Sequence, residues 1–122
     1  MNSLSYSSIK DLFTVPRKIL LTSHTNPDGD AIGAVLAMYL FFKNLGHDVS
    51  VIVPNPFPDY LAWMSGSDDI KIYEKEKAAC DLLFAGTEIL FSLDYNNPNR
   101  LKDAEAAFNQ SGAIKILIDH HI

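Results

Sequence analysis

The sequence has few of the features that mark secreted, membrane-spanning or nucleic-acid-coating proteins. Its single cysteine, Cys80, cannot form an internal disulfide, which indicates a reducing compartment. The longest apolar run, residues 31–42, is far shorter than the roughly 20 residues that cross a bilayer. Lysine and arginine number 10 against 15 acidic residues, so no long basic groove for nucleic acid is expected. We therefore predict a cytoplasmic protein without a membrane span.

What is present fits one globular domain of the α/β class. The 122 residues are 48% hydrophobic and 20% charged, and short apolar runs alternate with helical stretches. This alternation predicts a three-layer α/β/α fold with a mainly parallel, five-stranded, Rossmann-like sheet. The predicted strands are residues 17–23, 48–53, 70–73, 88–94 and 113–119. The predicted helices are residues 5–14, 31–45 (closed by a left-handed Gly46), 59–64, 75–84 and 99–110.

Two features suggest that the sequence is the N-terminal piece of a longer protein. A buried parallel strand ordinarily leads into a covering helix, and only three residues follow the fifth predicted strand. The predicted helix 31–45 is apolar nearly all round, so part of its surface is expected to meet a partner. Of the residues outside these features, we expect His47 in a surface turn and Trp63 in the core.

Potential metal ligands follow three of the predicted strands. Because ligands of open α/β sheets bind at the carboxyl ends of strands, we expect these residues to converge at one site. This convergence favours the strand order 3-2-1-4-5, with the site at the switch between strands one and four. The residues are His24, Asp28 and Asp30 after strand one, Asp94 after strand four, and Asp119, His120 and His121 after strand five.

Each cluster also has a plain structural interpretation. Residues 26–29 (NPDG) suit a β-turn, Asp30 suits a helix N-cap, and Asp94 could cap the turn that follows it. The run 119–121 (DHH) is harder to explain, because an apolar strand rarely ends in three metal-capable side chains. Converging carboxylates would also repel one another without cations. Carboxylate oxygens together with imidazoles suit Mn²⁺ better than Zn²⁺ or Ca²⁺.

These motifs resemble those of a known superfamily. Residues 24–33 (HTNPDGDAIG), the strand-terminal Asp94 and the closing DHH at 119–121 are similar to the first three motifs of the DHH phosphoesterase superfamily. The stretch NPDGDAIG resembles the branch of small oligoribonucleases (nano-RNases) and 3′-phosphoadenosine 5′-phosphate phosphatases. Family II pyrophosphatases more typically have NPDTDS there, with Thr and Ser in place of Gly29 and Ala31.

The resemblance implies a site for two Mn²⁺ ions, with Mg²⁺ or Co²⁺ as possible substitutes. Such ions lie roughly 3.5–4 Å apart, and a hydroxide shared between them attacks phosphorus. The implied ligands are His24 and Asp28 for one ion, Asp30 and His120 for the other, and Asp94 as a bridge between them.

The resemblance also implies catalytic and substrate-binding residues. His121 resembles a phosphate-contacting residue or general acid, and Asp119 resembles a partner that orients the histidine pair. Asn26 and His121 are the expected substrate contacts. The expected substrates are very short oligonucleotides or nucleoside 3′,5′-bisphosphates (pAp).

Two family elements are missing from residues 1–122: a fourth motif with another bridging aspartate, and a C-terminal DHHA1-type domain that holds the substrate. We therefore expect this piece alone to bind metal weakly, to turn over little, and to form a homodimer through exposed apolar surface.

Three alternatives remain beside this interpretation. The first is a phosphoanhydride hydrolase of the family II pyrophosphatase or exopolyphosphatase type, which Gly29 and Ala31 disfavour. A phosphoacceptor receiver domain would require a lysine at the end of strand five. A Rossmann-type nucleotide-binding module would require the GxGxxG spacing, which is absent from the first turn.

Overall fold

A five-stranded sheet, parallel throughout, forms the centre of the protein. The structure is a computed structural model, and it describes residues 11–24, 27, 29–93 and 98–118. The strand order is β3-β2-β1-β4-β5, and every neighbouring pair is parallel, as predicted. The strands are β1 (Lys18–Ser23), β2 (Asp48–Val53), β3 (Ile70–Ile72), β4 (Ile89–Leu93) and β5 (Ile114–Ile118).

Helices connect these strands and cover the sheet. The long helix α1 ends near Gly46, which has a φ of 92° and so adopts the predicted left-handed conformation. The α-helices are α1 (Gly29–Asn44), α2 (Lys77–Gly86) and α3 (Glu105–Gln110). Short 3₁₀ helices cover Asp59–Leu61, Ser67–Asp69 and Pro98–Ala104.

Two separate hydrophobic cores lie on the two faces of the sheet. Alternate residues of β1 point to opposite faces, as a strand requires. Leu21 packs with Val35 of α1 on one face. Leu20 packs with Phe84 of α2 and Phe108 of α3 on the other. Burying each such side chain contributes about 1.5–3 kcal/mol. The three-layer α/β/α prediction is confirmed.

The stretch predicted as one helix from 99 to 110 is broken. Lys102 has a φ of 53° and a ψ of −119°, which no helix accommodates, and it interrupts the 3₁₀ stretch Pro98–Ala104 that precedes α3. The helix predicted over residues 59–64 is a shorter 3₁₀ helix, Asp59–Leu61. Pro58 occupies the N-cap position of that short helix, and no side chain caps it.

His47 is buried, at 6% exposure, rather than in a surface turn. Its Nδ1 accepts a hydrogen bond from the backbone N–H of Arg17 at 3.0 Å. The rings of Phe13 and Phe42 meet it edge-on, with centroids 5.7 and 5.9 Å away. The surface prediction was wrong because residues before β1 fold over this histidine, a contact between parts of the chain that are distant in sequence.

The environment of Trp63 also differs from the prediction. Its side chain is 77% exposed, and Tyr60 beside it is 72% exposed, whereas Leu61 between them is buried. The prediction that Trp63 lies in the core is therefore wrong. Within the described residues, no helix is both long and apolar enough to cross a membrane.

Candidate functional site

The carboxyl ends of three adjacent strands define the candidate site. Strand β1 lies at the centre and pairs with β2 on one side and β4 on the other, so the chain reverses its direction of progress across the sheet between β1 and β4. A crevice at such a switch point is where open α/β sheets bind ligands. The observed strand order thus provides the switch point that was expected between strands one and four.

The register of these strands brings their ends into one row. Ser23 of β1 pairs with Leu93 of β4, and Leu93 pairs with Ile118 of β5. Because neighbouring strands lie about 4.8 Å apart, the three strand ends fall within about 10 Å. The next residues in the sequence are His24, Asp94 and Asp119, of which the structure describes the first.

His24 and Asp30 stand on the two sides of the loop that joins β1 to α1. His24 is half-buried and directly follows β1. Asp30 is exposed in the first turn of α1, which begins at Gly29, so it is not the N-cap of that helix. The positive end of the helix dipole stabilises a carboxylate in this position. An imidazole and an exposed carboxylate are thereby presented at the carboxyl edge of the sheet.

The remaining predicted site residues lie outside the residues that the structure describes. Their ligand and catalytic roles therefore stay predictions. Among the described residues alone, no group of three histidine, cysteine, aspartate or glutamate side chains could hold a metal ion. The residues concerned are Asn26, Asp28, Asp94, Asp119, His120 and His121.

An unpaired hydroxyl lies beside this edge. The Oγ of Ser23, the last residue of β1, is fully buried and has no hydrogen-bond partner among the residues that the structure describes. The neighbouring Thr22, equally buried, instead donates its hydroxyl proton to the carbonyl of Phe91 at 2.6 Å. A buried hydroxyl without a partner is uncommon, and such groups concentrate at functional sites. The donor chemistry of this edge, imidazole with carboxylate oxygens, is compatible with a divalent metal such as Mn²⁺.

A short segment after β2 packs against the first turns of α1. A Cβ placed on Gly29 would lie 3.8 Å from Leu61 Cδ2, and one placed on Gly33 would lie 3.7 Å from Met64 Cε. The exposed Trp63 belongs to this segment. Its exposure was missed from the sequence, in which three prolines in residues 54–58 indicated only an extended loop before it.

Two cavities lined by described residues lie away from this edge of the sheet. One, of about 140 Å³, opens at the amino ends of β1 and β2 between Lys18 and Asp48. Another, of about 390 Å³, lies between α2 and α3 beside Tyr73 and Asp81. Neither is lined by His24 or Asp30. These two cavities thus lie apart from the described residues of the candidate site.

Tyr73 and Cys80 have strongly shifted pKa values, but both lie on the α2 side of the sheet. The hydroxyl of Tyr73 donates a 2.6 Å hydrogen bond to Asp81 Oδ1, which with burial raises the pKa of Tyr73 to about 12. Burial raises the pKa of the Cys80 thiol to about 11, and Glu76 adds to this shift. Both shifts favour the neutral form, which suits packing rather than catalysis at neutral pH.

Comparisons with known proteins agree with this geometry. The structure is similar to the crystal structure of an exopolyphosphatase-related protein from Bacteroides fragilis, with a TM-score of 0.91 and 39% sequence identity over 95% of this chain. The chain covers 34% of that protein, about a third of its length. No curated protein matches the sequence.

The family comparison covers most of the sequence. Residues 18–122 match the DHH family, N-terminal domain. Members of this family are hydrolases and generally depend on a divalent metal ion. Their common activity is metal-dependent hydrolysis of phosphate esters or related phosphate compounds. The match extends from the start of β1 through the DHH triplet at 119–121, so this chain belongs to the DHH family.

Proposed function

We propose that this chain provides most of the metal site of a phosphoesterase that acts on very short oligonucleotides or nucleoside 3′,5′-bisphosphates. The observation that supports it is the row Ser23, Leu93 and Ile118, because each strand end in this row leads directly into a predicted ligand or catalytic residue. This arrangement agrees with the family match over residues 18–122.

The residues suit a pair of divalent ions, for which we favour Mn²⁺. His24 and Asp30 would each contribute to a different ion, and the predicted ligands Asp28, His120 and Asp94 would complete the set. When bound, such ions lower the pKa of water and neutralise charge that develops on the phosphate. His121 would contact the phosphate and protonate the leaving oxygen, and Asp119 would orient the histidines.

The motif at the start of α1 favours an ester rather than an anhydride substrate, because Gly29 and Ala31 replace the Thr and Ser typical of family II pyrophosphatases. A Cβ placed on Gly29 would make an ordinary van der Waals contact with Leu61 Cδ2 at 3.8 Å, so packing alone does not require glycine. Ala31 is buried at 1% exposure, where a serine hydroxyl would need a hydrogen-bond partner. The departure from the Thr and Ser of the pyrophosphatase motif is thus not forced by packing at position 29.

A second candidate function is hydrolysis of phosphoanhydrides. The similar structure from Bacteroides fragilis is described as exopolyphosphatase-related, which favours an anhydride substrate. Because this chain covers 34% of that protein, residues that select the substrate could belong to the part without a counterpart here. We propose that a fourth motif and a DHHA1-type domain complete the site. We also propose that the protein acts in the cytoplasm.

A substrate comparison with the intact protein tests this proposal. Initial rates are measured with Mn²⁺ against pAp, the dinucleotide pApA, pyrophosphate, tripolyphosphate and a 20-nucleotide single strand. Parallel assays replace Mn²⁺ with Mg²⁺ or Co²⁺. We expect the highest kcat/KM for pAp or pApA, and loss of this activity in Asp30→Asn. Preferential hydrolysis of pyrophosphate or tripolyphosphate would overturn the proposal in favour of the second candidate.

A further inference from the structure

Tyr60 and Trp63, two exposed aromatic residues that we call the aromatic pair, lie on the segment that follows β2. Three hydrogen bonds from N–H groups to carbonyls three residues earlier, each 3.0–3.1 Å long, shape residues 58–64. This spacing gives three residues per turn, so residues three apart lie on the same side. Leu61 and Met64 share the side that faces α1, and Tyr60 and Trp63 share an adjacent side that is left exposed.

The aromatic pair lies next to the candidate metal edge. Leu61 and Met64 pack on the helical turns around Gly29 and Gly33, at distances of 3.8 and 3.7 Å from Cβ positions built there. These are the same turns of α1 that hold Asp30. A molecule with one end at the carboxylate of Asp30 can therefore extend over this segment.

Contacts within the chain fix the backbone of this segment. Prolines at positions 56 and 58 restrict the backbone before it, and Leu61 anchors it in the core at 4% exposure. The hydroxyl of Ser67 donates a 2.7 Å hydrogen bond to the carbonyl of Ala62. Two large rings kept exposed on a fixed backbone lose little conformational freedom on binding, which is the property of a preorganised contact surface.

Charge indicates which part of a substrate this surface accepts. Asp59 and Asp68, both exposed, lie on the same connection between β2 and β3 and disfavour a phosphate group there. A neutral, flat nucleobase meets no such repulsion and stacks on aromatic rings whatever its identity. We propose that Tyr60 and Trp63 stack on a base of the substrate while its phosphate occupies the His24 and Asp30 edge. This inference rests on the proposed function and adds to it the residues that contact the base of the substrate.

Kinetics of the intact protein test the stacking role. Trp63→Ala is expected to raise the KM for pApA about tenfold, with a much smaller change in kcat, because stacking contributes to binding of the base. Trp63→Phe, which retains a ring, should restore KM to within about threefold. Leu82→Ala serves as the matched control, since Leu82 is 75% exposed on α2 and should leave all constants unchanged. A KM for pApA that Trp63→Ala changes less than twofold would overturn the inference.

A base-free substrate separates this inference from the proposed function. Trp63→Ala should reduce the preference for pApA over pyrophosphate about tenfold. An equal loss for both substrates would contradict stacking. If the wild type hydrolyses pyrophosphate alone, the proposed function and this inference both fail. If it hydrolyses pApA and Trp63→Ala has no effect on KM, the inference alone fails.

Fluorescence gives a second readout, because Trp63 is the sole tryptophan of the 122 residues. Titrating the intact protein with pApA in Mn²⁺ should quench emission that is absent from the Trp63→Phe variant, and pyrophosphate should not. Acrylamide should reach the indole freely before pApA is added. Strong protection from acrylamide that increases with protein concentration would instead show that a second copy covers Trp63, and would overturn the inference.

Discussion

Ser23 and Leu93 lie opposite each other in the last paired row of β1 and β4. The residues that follow them, His24 and Asp94, thus leave the sheet from adjacent strand ends. A bridging carboxylate between two cations must come from a position of this kind, because it has to reach ligands on both sides. The main prediction about catalysis therefore concerns Asp94, the residue that follows β4.

Replacing Asp94 is expected to abolish activity and to leave the fold intact. Asp94→Asn removes the charge that would touch both ions, so kcat/KM for pApA should fall by more than about a hundredfold, beyond the usual loss for a residue that only supports a ligand. Circular dichroism and the thermal midpoint should stay near wild type or rise, because carboxylate repulsion is relieved. Near-normal turnover in saturating Mn²⁺ would remove Asp94 from the site.

The unpaired hydroxyl of Ser23 predicts a difference between two adjacent buried residues. Ser23→Ala should leave the free energy of unfolding unchanged or raise it by up to about 1 kcal/mol, because it removes a desolvated group that has no partner within the described part of the chain. Thr22→Val should lower that free energy by about 1 kcal/mol, since it deletes the 2.6 Å bond to the Phe91 carbonyl. Urea unfolding of both variants provides the measurement. Equal losses in the two variants would show that the Ser23 hydroxyl has a stabilising partner.

Sequence patterns predicted most of this architecture, and the reasons are local. The strands are apolar runs bounded by turn residues. Gly46 marks a helix end, because a glycine adopts a left-handed φ there without strain. The strand order followed from one condition, that the residues after strands one, four and five must meet. The predicted order is observed, and the three strand ends lie in one row of Ser23, Leu93 and Ile118.

The failures concern residues whose environment depends on distant parts of the chain. His47 is buried because Phe13 and Arg17 fold over it, which no pattern near residue 47 indicates. Trp63 is exposed because the segment uses Leu61 and Met64 for packing, and hydrophobicity alone cannot decide which of two adjacent rows faces inward. The break at Lys102 likewise has no glycine or proline at that position to announce it.

The Tyr73–Asp81 hydrogen bond predicts a stability difference that depends on pH. Because the pKa of Tyr73 rises from 10.0 to about 12 on folding, its neutral hydroxyl stabilises the folded state below pH 10, and this contribution is lost as the pH rises through 12. Tyr73→Phe should therefore lower the free energy of unfolding by about 1.5 kcal/mol at pH 8. The difference between wild type and variant should shrink between pH 10 and 12. A difference that stays constant over that interval would contradict the role of the hydroxyl proton.

Cys80 should be unreactive in the folded protein. Its side chain is fully buried, so a reagent cannot reach the sulfur. Burial also raises the pKa of the thiol to about 11, so little of the reactive thiolate is present at pH 8. Ellman's reagent should modify it only as fast as the protein opens, and modification should become immediate in denaturing urea. Cys80→Ser places a hydroxyl in the core and should lower the free energy of unfolding by about 1–3 kcal/mol. Cys80→Ala should lower it less, because the site can relax around the smaller side chain. Rapid labelling at pH 8 in buffer would show that α2 opens readily.

The edge strand β5 predicts self-association of the 122-residue chain. On the side away from β4 it pairs with no other described strand, and Ile114, Leu117 and Ile118 on it are each about 40% exposed. An exposed apolar edge is a template for pairing with another chain, and about 800 Å² buried per partner suffices for a stable dimer. Sedimentation equilibrium should therefore give a dimer at tens of micromolar. Leu117→Lys should shift it towards monomer, because a charge on an edge strand opposes pairing, whereas Leu82→Lys on α2 should have no effect. A monomer at every concentration, or equal effects of both lysines, would show that the β5 edge does not drive association.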